Sequence, residues 1–115
     1  MADIFSPKDG GKVPKSDAEK WIKKFDDERE DKLKDTRSIF FGKDFLQQVI
    51  NTPEIAGVSF FFAKKFSDFA GKDTLNLVLV PTKADGTLLW PTSTEGKDVP
   101  GDSAYDTGKP CPPSC

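Results

Sequence analysis

The stretch G-V-S-F-F-F-A-K-K-F-S-D-F-A-G-K-D-T-L-N-L-V-L-V-P, residues 57–81, is where the chain leaves helical spacing and begins to alternate. Val58, Phe60 and Phe62 share one side of an extended chain, and Ser59, Phe61 and Ala63 take the other. Leu75, Leu77 and Leu79 alternate in the same way with Asn76, Val78 and Val80. The second segment is apolar on nearly both sides, which marks a central strand. Residues 66–73 between them read as a long turn. Ala84-Asp85-Gly86 is a hairpin turn signal, and residues 87–90 read as the partner strand. The expected result is an antiparallel β-meander over 57–63, 74–81 and 87–90. Residues 38–41, S-I-F-F, form a short apolar run that can add a fourth strand at an edge.

Two helical patterns precede this region. Ala18, Trp21, Ile22 and Phe25 recur at helical spacing after Ser16-Asp17-Ala18-Glu19, which fits a capping box. Phe45, Leu46, Val49 and Ile50 line one side of a second helix. Asp44 is its expected cap, and Pro53 is its stop. Neither helix can bury its stripe alone, so both are expected on one face of the sheet. The fold class read from these patterns is α+β, two-layered, with a meander of three to four strands. Residues 16–91 form the domain. Residues 1–15 read as a flexible arm in which Ile4 and Phe5 can dock. Residues 92–115 read as an extended tail rich in Pro and Gly.

Composition narrows the chemistry. The chain has 115 residues, a net charge of −2 and no histidine. The charge supplies no field for gathering nucleic acid or anionic membrane. Without histidine there is no Ser-His or Cys-His nucleophile pair and no His-ligated metal. No cofactor or metal site is expected, and no apolar run reaches the length of a membrane span. The first residues lack the apolar core of a signal peptide, so the default location is cytoplasmic, with export by another route left open. Residues 23–37 hold six acids and six bases. They read as the solvated back and frayed end of the first helix, with i,i+4 pairs at Lys24–Glu28, Glu28–Lys32 and Glu30–Lys34. Gly42-Lys43 lacks the glycine-rich loop of a phosphate site and reads as a plain strand-to-helix turn.

Ten phenylalanines are present, seven of them between Phe40 and Phe66. A strand cannot send Phe60, Phe61 and Phe62 to one side. Phe61, Val78 and Val80 therefore make a second apolar face that something must cover: the tail, the 66–73 loop with Phe66 and Phe69, or another molecule. The only cysteines are Cys111 and Cys115, in K-P-C-P-P-S-C at the end of the sequence. Half of a metal site or a redox motif fits this spacing poorly. A disulfide needs a turn at Ser114 or a cis proline to bring the two Cα atoms close. A pair of exposed thiols is the simplest reading.

The block F-F-G-K-D-F-L-Q-Q-V-I (residues 40–50), the two strand segments and the ending P-C-P-P-S-C resemble a family of small uncharacterised bacterial proteins. The likeness spans about residues 16–115 and implies an α+β domain without an assigned activity. No catalytic residue is carried over. The F-F-F strand is more apolar than its counterpart in those proteins, and their tails often continue past the second cysteine. The expected function is a non-enzymatic interaction module, working through a protein partner or self-association at Phe61, Val78, Val80, Phe66 and Phe69. The alternative is a small apolar ligand held between sheet and helices near Trp21 or Trp90. An enzyme built on Lys43 and Asp44 ranks third.

Overall fold

The structure is a computed structural model and describes residues 3–90, 106 and 108–115. In chain order the elements are α1 (Lys15–Glu28), β1 (Ser38–Phe40), α2 (Lys43–Ile50), β2 (Gly57–Ser67), β3 (Lys72–Thr82) and β4 (Lys109–Cys111). The chain is a mixed α+β protein with two antiparallel sheets of two strands each, β1–β4 and β2–β3. Two compact units divide it. The first takes Met1–Asp9, Phe41–Phe62 and Leu77–Gly108; the second takes Gly10–Phe40, Ala63–Asn76 and Lys109–Cys115. No helix among the described residues is long and apolar enough to cross a membrane.

The alternating stretch forms a hairpin longer than its pattern indicated. β2 and β3 each run 11 residues. Half of the expected 66–73 loop is drawn into the strands, leaving a turn at residues 68–71. Gly71 takes φ 70°, its amide donates to the Ser67 carbonyl (2.7 Å), and Ser67 Oγ accepts from the Ala70 amide. A residue with a Cβ is disfavoured in that left-handed conformation. The third strand of the expected meander is reduced to a single bridge, Thr82 with Leu88, beside a bond from the Leu89 amide to the Pro81 carbonyl. The turn before it does form: the Gly86 amide donates to the Lys83 carbonyl, and Asp85 Oδ1 accepts the Thr87 amide.

In the first unit, Val49 of α2 and Leu79 and Val80 of β3 are completely buried. α2 starts at Gly42, whose extended backbone supplies the cap position and whose carbonyl accepts the Leu46 amide. Asp44 is therefore not the cap. It lies in the first turn, where its charge complements the helix dipole. The helix stops where Thr52 Oγ1 and the Thr52 amide both bond back to the Val49 carbonyl, one residue before Pro53. The N-terminal arm is anchored, because the Ile4 and Phe5 amides both donate to the Ala84 carbonyl at 2.9 Å.

In the second unit, the cap of α1 lies two residues earlier than its capping pattern. Pro14, with φ −59° and ψ 141°, occupies the cap position, and its carbonyl takes the Asp17 and Ala18 amides. Ser16 and Glu19 form no capping box, because Ser16 lies inside the helix, two residues past the cap position, and no side chain caps this end. α1 buries none of its residues, so the expectation of two helices covering one sheet face is not met. Its stripe leaves Trp21 60% exposed, with Ile22 and Phe25 exposed beside it.

Residues 109–115 correct the expectation of a free tail; residues 92–105 and 107 lie outside the described residues. β4 pairs antiparallel with β1 in the register Ser38–Cys111, Ile39–Pro110 and Phe40–Lys109. Residues 38–41 were expected at the edge of the meander and instead hold the C-terminal segment. The two cysteines are not exposed thiols. They are bonded to each other with Cα atoms 4.8 Å apart, and Cys111 is 5% exposed. The peptide bonds Cys111–Pro112 and Pro112–Pro113 are both cis.

Candidate functional site

The five residues expected to form an interaction face are not placed alike. Val80 is fully buried and Val78 half-buried, so neither offers a docking surface. Phe61 is 42% exposed, and Phe66 and Phe69 are exposed. Phe61, Val78 and Val80 belong to the first unit, Phe66 and Phe69 to the second. The uncovered second sheet face is thus closed at Val80 by the chain's own packing. Phe69 is engaged locally: Lys34 Nζ lies 4.2 Å from its ring centre and donates to its carbonyl.

The concave feature of the first unit lies on the opposite side of the hairpin. Val58, Phe60 and Leu79 face Leu46, Val49 and Ile50 of α2, with Pro7, Ile55, Ala56 and Gly57 completing the walls. The groove measures about 480 Å³. Its floor is Val49 and Leu79, both closed to solvent, while Ile50 and Phe60 stand exposed at the rim. The sequence carried half of this signal, since the α2 stripe and the Val58–Phe60 alternation are what meet here. What it missed is that α2 leaves a gap against the hairpin. Trp21 and Trp90 are not among the lining residues.

A smaller cavity of about 250 Å³, with polar and apolar walls in similar share, has Pro7, Ala56, Gly57 and Val58 in common with the groove. Its other walls are Phe5, Ser6, Asp9, Ser59 and Thr82. Asp9 Oδ2 accepts the Ser6 amide at 3.0 Å, and Ser6 Oγ accepts the Lys8 amide. Thr82 Oγ1 donates to the Val80 carbonyl and lies 2.7 Å from Ser59 Oγ.

No family model, curated protein or solved structure matches this chain. Residue roles therefore rest on the geometry. Among the described residues no group of three or more Asp, Glu or Cys side chains converges to hold a metal ion. Lys43 and Asp44 lie together on the exposed first turn of α2.

In the second unit the charged run is a lock rather than a frayed helix end. α1 stops at Glu28, and Arg29 turns back on it with Nη2 2.6 Å from Asp26 Oδ1. The Arg29 side chain is only 8% exposed, and Nη1 donates to the Asp35 carbonyl at 2.6 Å. Asp31 Oδ1 accepts the Leu33 and Lys34 amides, Asp35 Oδ2 accepts the Asp31 amide, and Lys32 Nζ bonds the Asp26 carbonyl. A helical pair forms at Lys23–Asp27, 2.7 Å apart, which was not one of the three expected pairs. The expected Glu28–Lys32 and Glu30–Lys34 pairs do not have helical geometry, because the helix has ended. The hydrogen bond from Arg29 holds the Asp26 carboxyl below its ordinary value, and the one from Lys72 does the same for Asp35. A cavity of about 530 Å³ beside Arg29 is lined by Arg29 and Asp35 of this lock together with Phe25, Glu28, Glu30, Thr36, Lys64 and Leu75.

Proposed function

We propose that this chain is a non-enzymatic binding module whose working surface is the groove between α2 and the β2–β3 hairpin. The observation that carries the reading is a concave, apolar groove of about 480 Å³ with a floor of Val49 and Leu79. That volume falls within the range of roughly 300–1,000 Å³ typical of small-molecule sites. An apolar occupant there removes the exposed faces of Ile50 and Phe60 from water. This supports the small apolar ligand over a purely structural role for the α2 stripe.

A second reading, association with a protein partner or a second copy, is supported by Phe62, which is 81% exposed on the same strand side as Phe60. The two readings are separated by one experiment. Binding of an environment-sensitive apolar dye is measured alongside sedimentation velocity over a wide protein concentration range, for the natural sequence and for Leu46→Glu. Dye bound by a monomer and lost in Leu46→Glu supports the ligand reading. Concentration-dependent mass that is lost in the same variant supports association. A monomer that binds no dye overturns the ligand reading and self-association.

A further inference from the structure

We infer that the groove and the smaller cavity beside it are one site for an amphiphile: an aliphatic chain that ends in an ammonium group. The inference rests on the ligand reading of the groove and adds the chemistry of the head. The two cavities adjoin at the start of β2, where Pro7, Ala56, Gly57 and Val58 line both. One end is apolar, and the other carries Ser6, Asp9 and Ser59, so a single molecule with two unlike ends fits the pair.

Proton accounting sets the character of the polar end. A hydroxyl has one proton to donate. That of Thr82 goes to the Val80 carbonyl, so the short contact with Ser59 is made by the Ser59 proton. Ser59 Oγ then presents only lone pairs to the cavity. Asp9 uses one carboxylate oxygen for the Ser6 amide and has the other free of hydrogen bonds among the described residues. Ser6 keeps a proton, which is the one donating hydroxyl in the set. No lysine or arginine lines either cavity, and Asp9 is the single charged wall residue. A carboxylate or phosphate head meets repulsion from Asp9 and finds one donor. An ammonium head finds a carboxylate oxygen and the Ser59 lone pairs, with charge-assisted bonds available to it.

The test is calorimetric titration of the full chain with decylamine, decanol and decanoate, each below its micelle concentration. The expected order is decylamine tightest by about tenfold over decanol, a difference of ~1.4 kcal/mol, with decanoate weakest. Asp9→Asn brings decylamine down to the level of decanol and leaves decanol unchanged. Asp3→Asn, which removes a charge from the same arm outside the cavity, leaves the order intact. Ser59→Ala gives a partial loss for decylamine alone, and circular dichroism verifies that each variant is folded. Equal binding of the amine and the alcohol, or tighter binding of decanoate, overturns the head assignment while the groove reading stands. An equal loss of decylamine in Asp3→Asn also overturns it. Binding of none of the three overturns the groove reading as well.

Discussion

Lys72 Nζ lies 2.8 Å from Asp35 Oδ1 and joins the turn end of the hairpin to the loop that follows α1. The same ammonium reaches Asp31 Oδ2 at 3.4 Å. Both carboxylates already cap amides within the loop, so Lys72 holds a prefolded turn rather than two loose side chains. Lys72→Met is expected to speed amide exchange at residues 31–35 while leaving exchange at Leu79 and Val80 unchanged. Unchanged exchange in the loop means that the turn is held by its own Asx bonds and Arg29 alone.

The acid limb of stability follows from the same lock. Asp26 is depressed chiefly by its hydrogen bond from Arg29, and Asp35 chiefly by that from Lys72. A carboxylate with a lowered folded pKa contributes stability above its unfolded value, near ~3.9. That contribution disappears as pH falls below this value and through the lower folded ones. Lys72 is raised, mainly by its bond to Asp35, so its share is present below its unfolded value and is lost only in strong alkali. Amide exchange followed from pH 7 downward is expected to show the 29–37 loop opening as the pH falls below about 4. A loop that stays closed well below that range removes the carboxylates from the account.

Leu79 is the common floor of the groove and the core of the first unit. Truncation to alanine deletes buried methyl groups and leaves a cavity, a change that costs ~2–5 kcal/mol. Chemical denaturation read by far-ultraviolet circular dichroism measures it. A cost below about 1 kcal/mol means that α2 collapses onto the hairpin, and the groove is then not a fixed feature.

The terminal cysteines carry a fourth expectation. Arg37 donates its amide to the Cys111 carbonyl at 2.7 Å, so the strand that pairs with β1 leads directly into the bridge. Closing so short a loop removes roughly 2 kcal/mol of entropy from the unfolded chain in the loop-closure account. Reduction is expected to add two hydrogens to the mass, expose two titratable thiols and increase exchange at Arg37. Two free thiols in protein isolated without reductant reinstate the exposed-thiol reading. A bridged pair fits an oxidising compartment better than the cytoplasmic default read from the N-terminal residues.

How far the sequence carried each element depends on the range of the interactions that decide it. The period-two alternation of residues 57–63 and 74–81 and the stripe of α2 are local patterns, and both elements stand where those patterns put them. The third strand at 87–90 is short, and Pro81 has no amide to donate to a ladder, so pairing there stops at one bridge. The pairing of Ser38–Phe40 with Lys109–Cys111 joins segments about 70 residues apart, and no local pattern encodes it. The Arg29 lock was hidden for a different reason. A run of mixed charge reads as a solvated helix face until the helix end is known, and only then do Asp26, Arg29 and Asp35 converge. The smaller cavity beside the groove was hidden because Asp9 and Ser6 lie in an arm that carries no periodic signal.

Phe62 separates packing from recognition. It is 81% exposed, so Phe62→Ser removes little buried area and is expected to change stability by no more than about 0.5 kcal/mol. A phenylalanine in a self-association surface behaves differently. Its loss weakens the dimer by an amount visible as a shift in the concentration at which mass rises, with the unfolding midpoint of the dilute protein unchanged. Sedimentation velocity of the two proteins, with denaturation run in parallel, gives both readouts. A rise in mass for the natural sequence that Phe62→Ser abolishes assigns the exposed strand side to an interface. Identical monomers at every concentration rule out self-association and leave the groove as the surface on which a function must be sought.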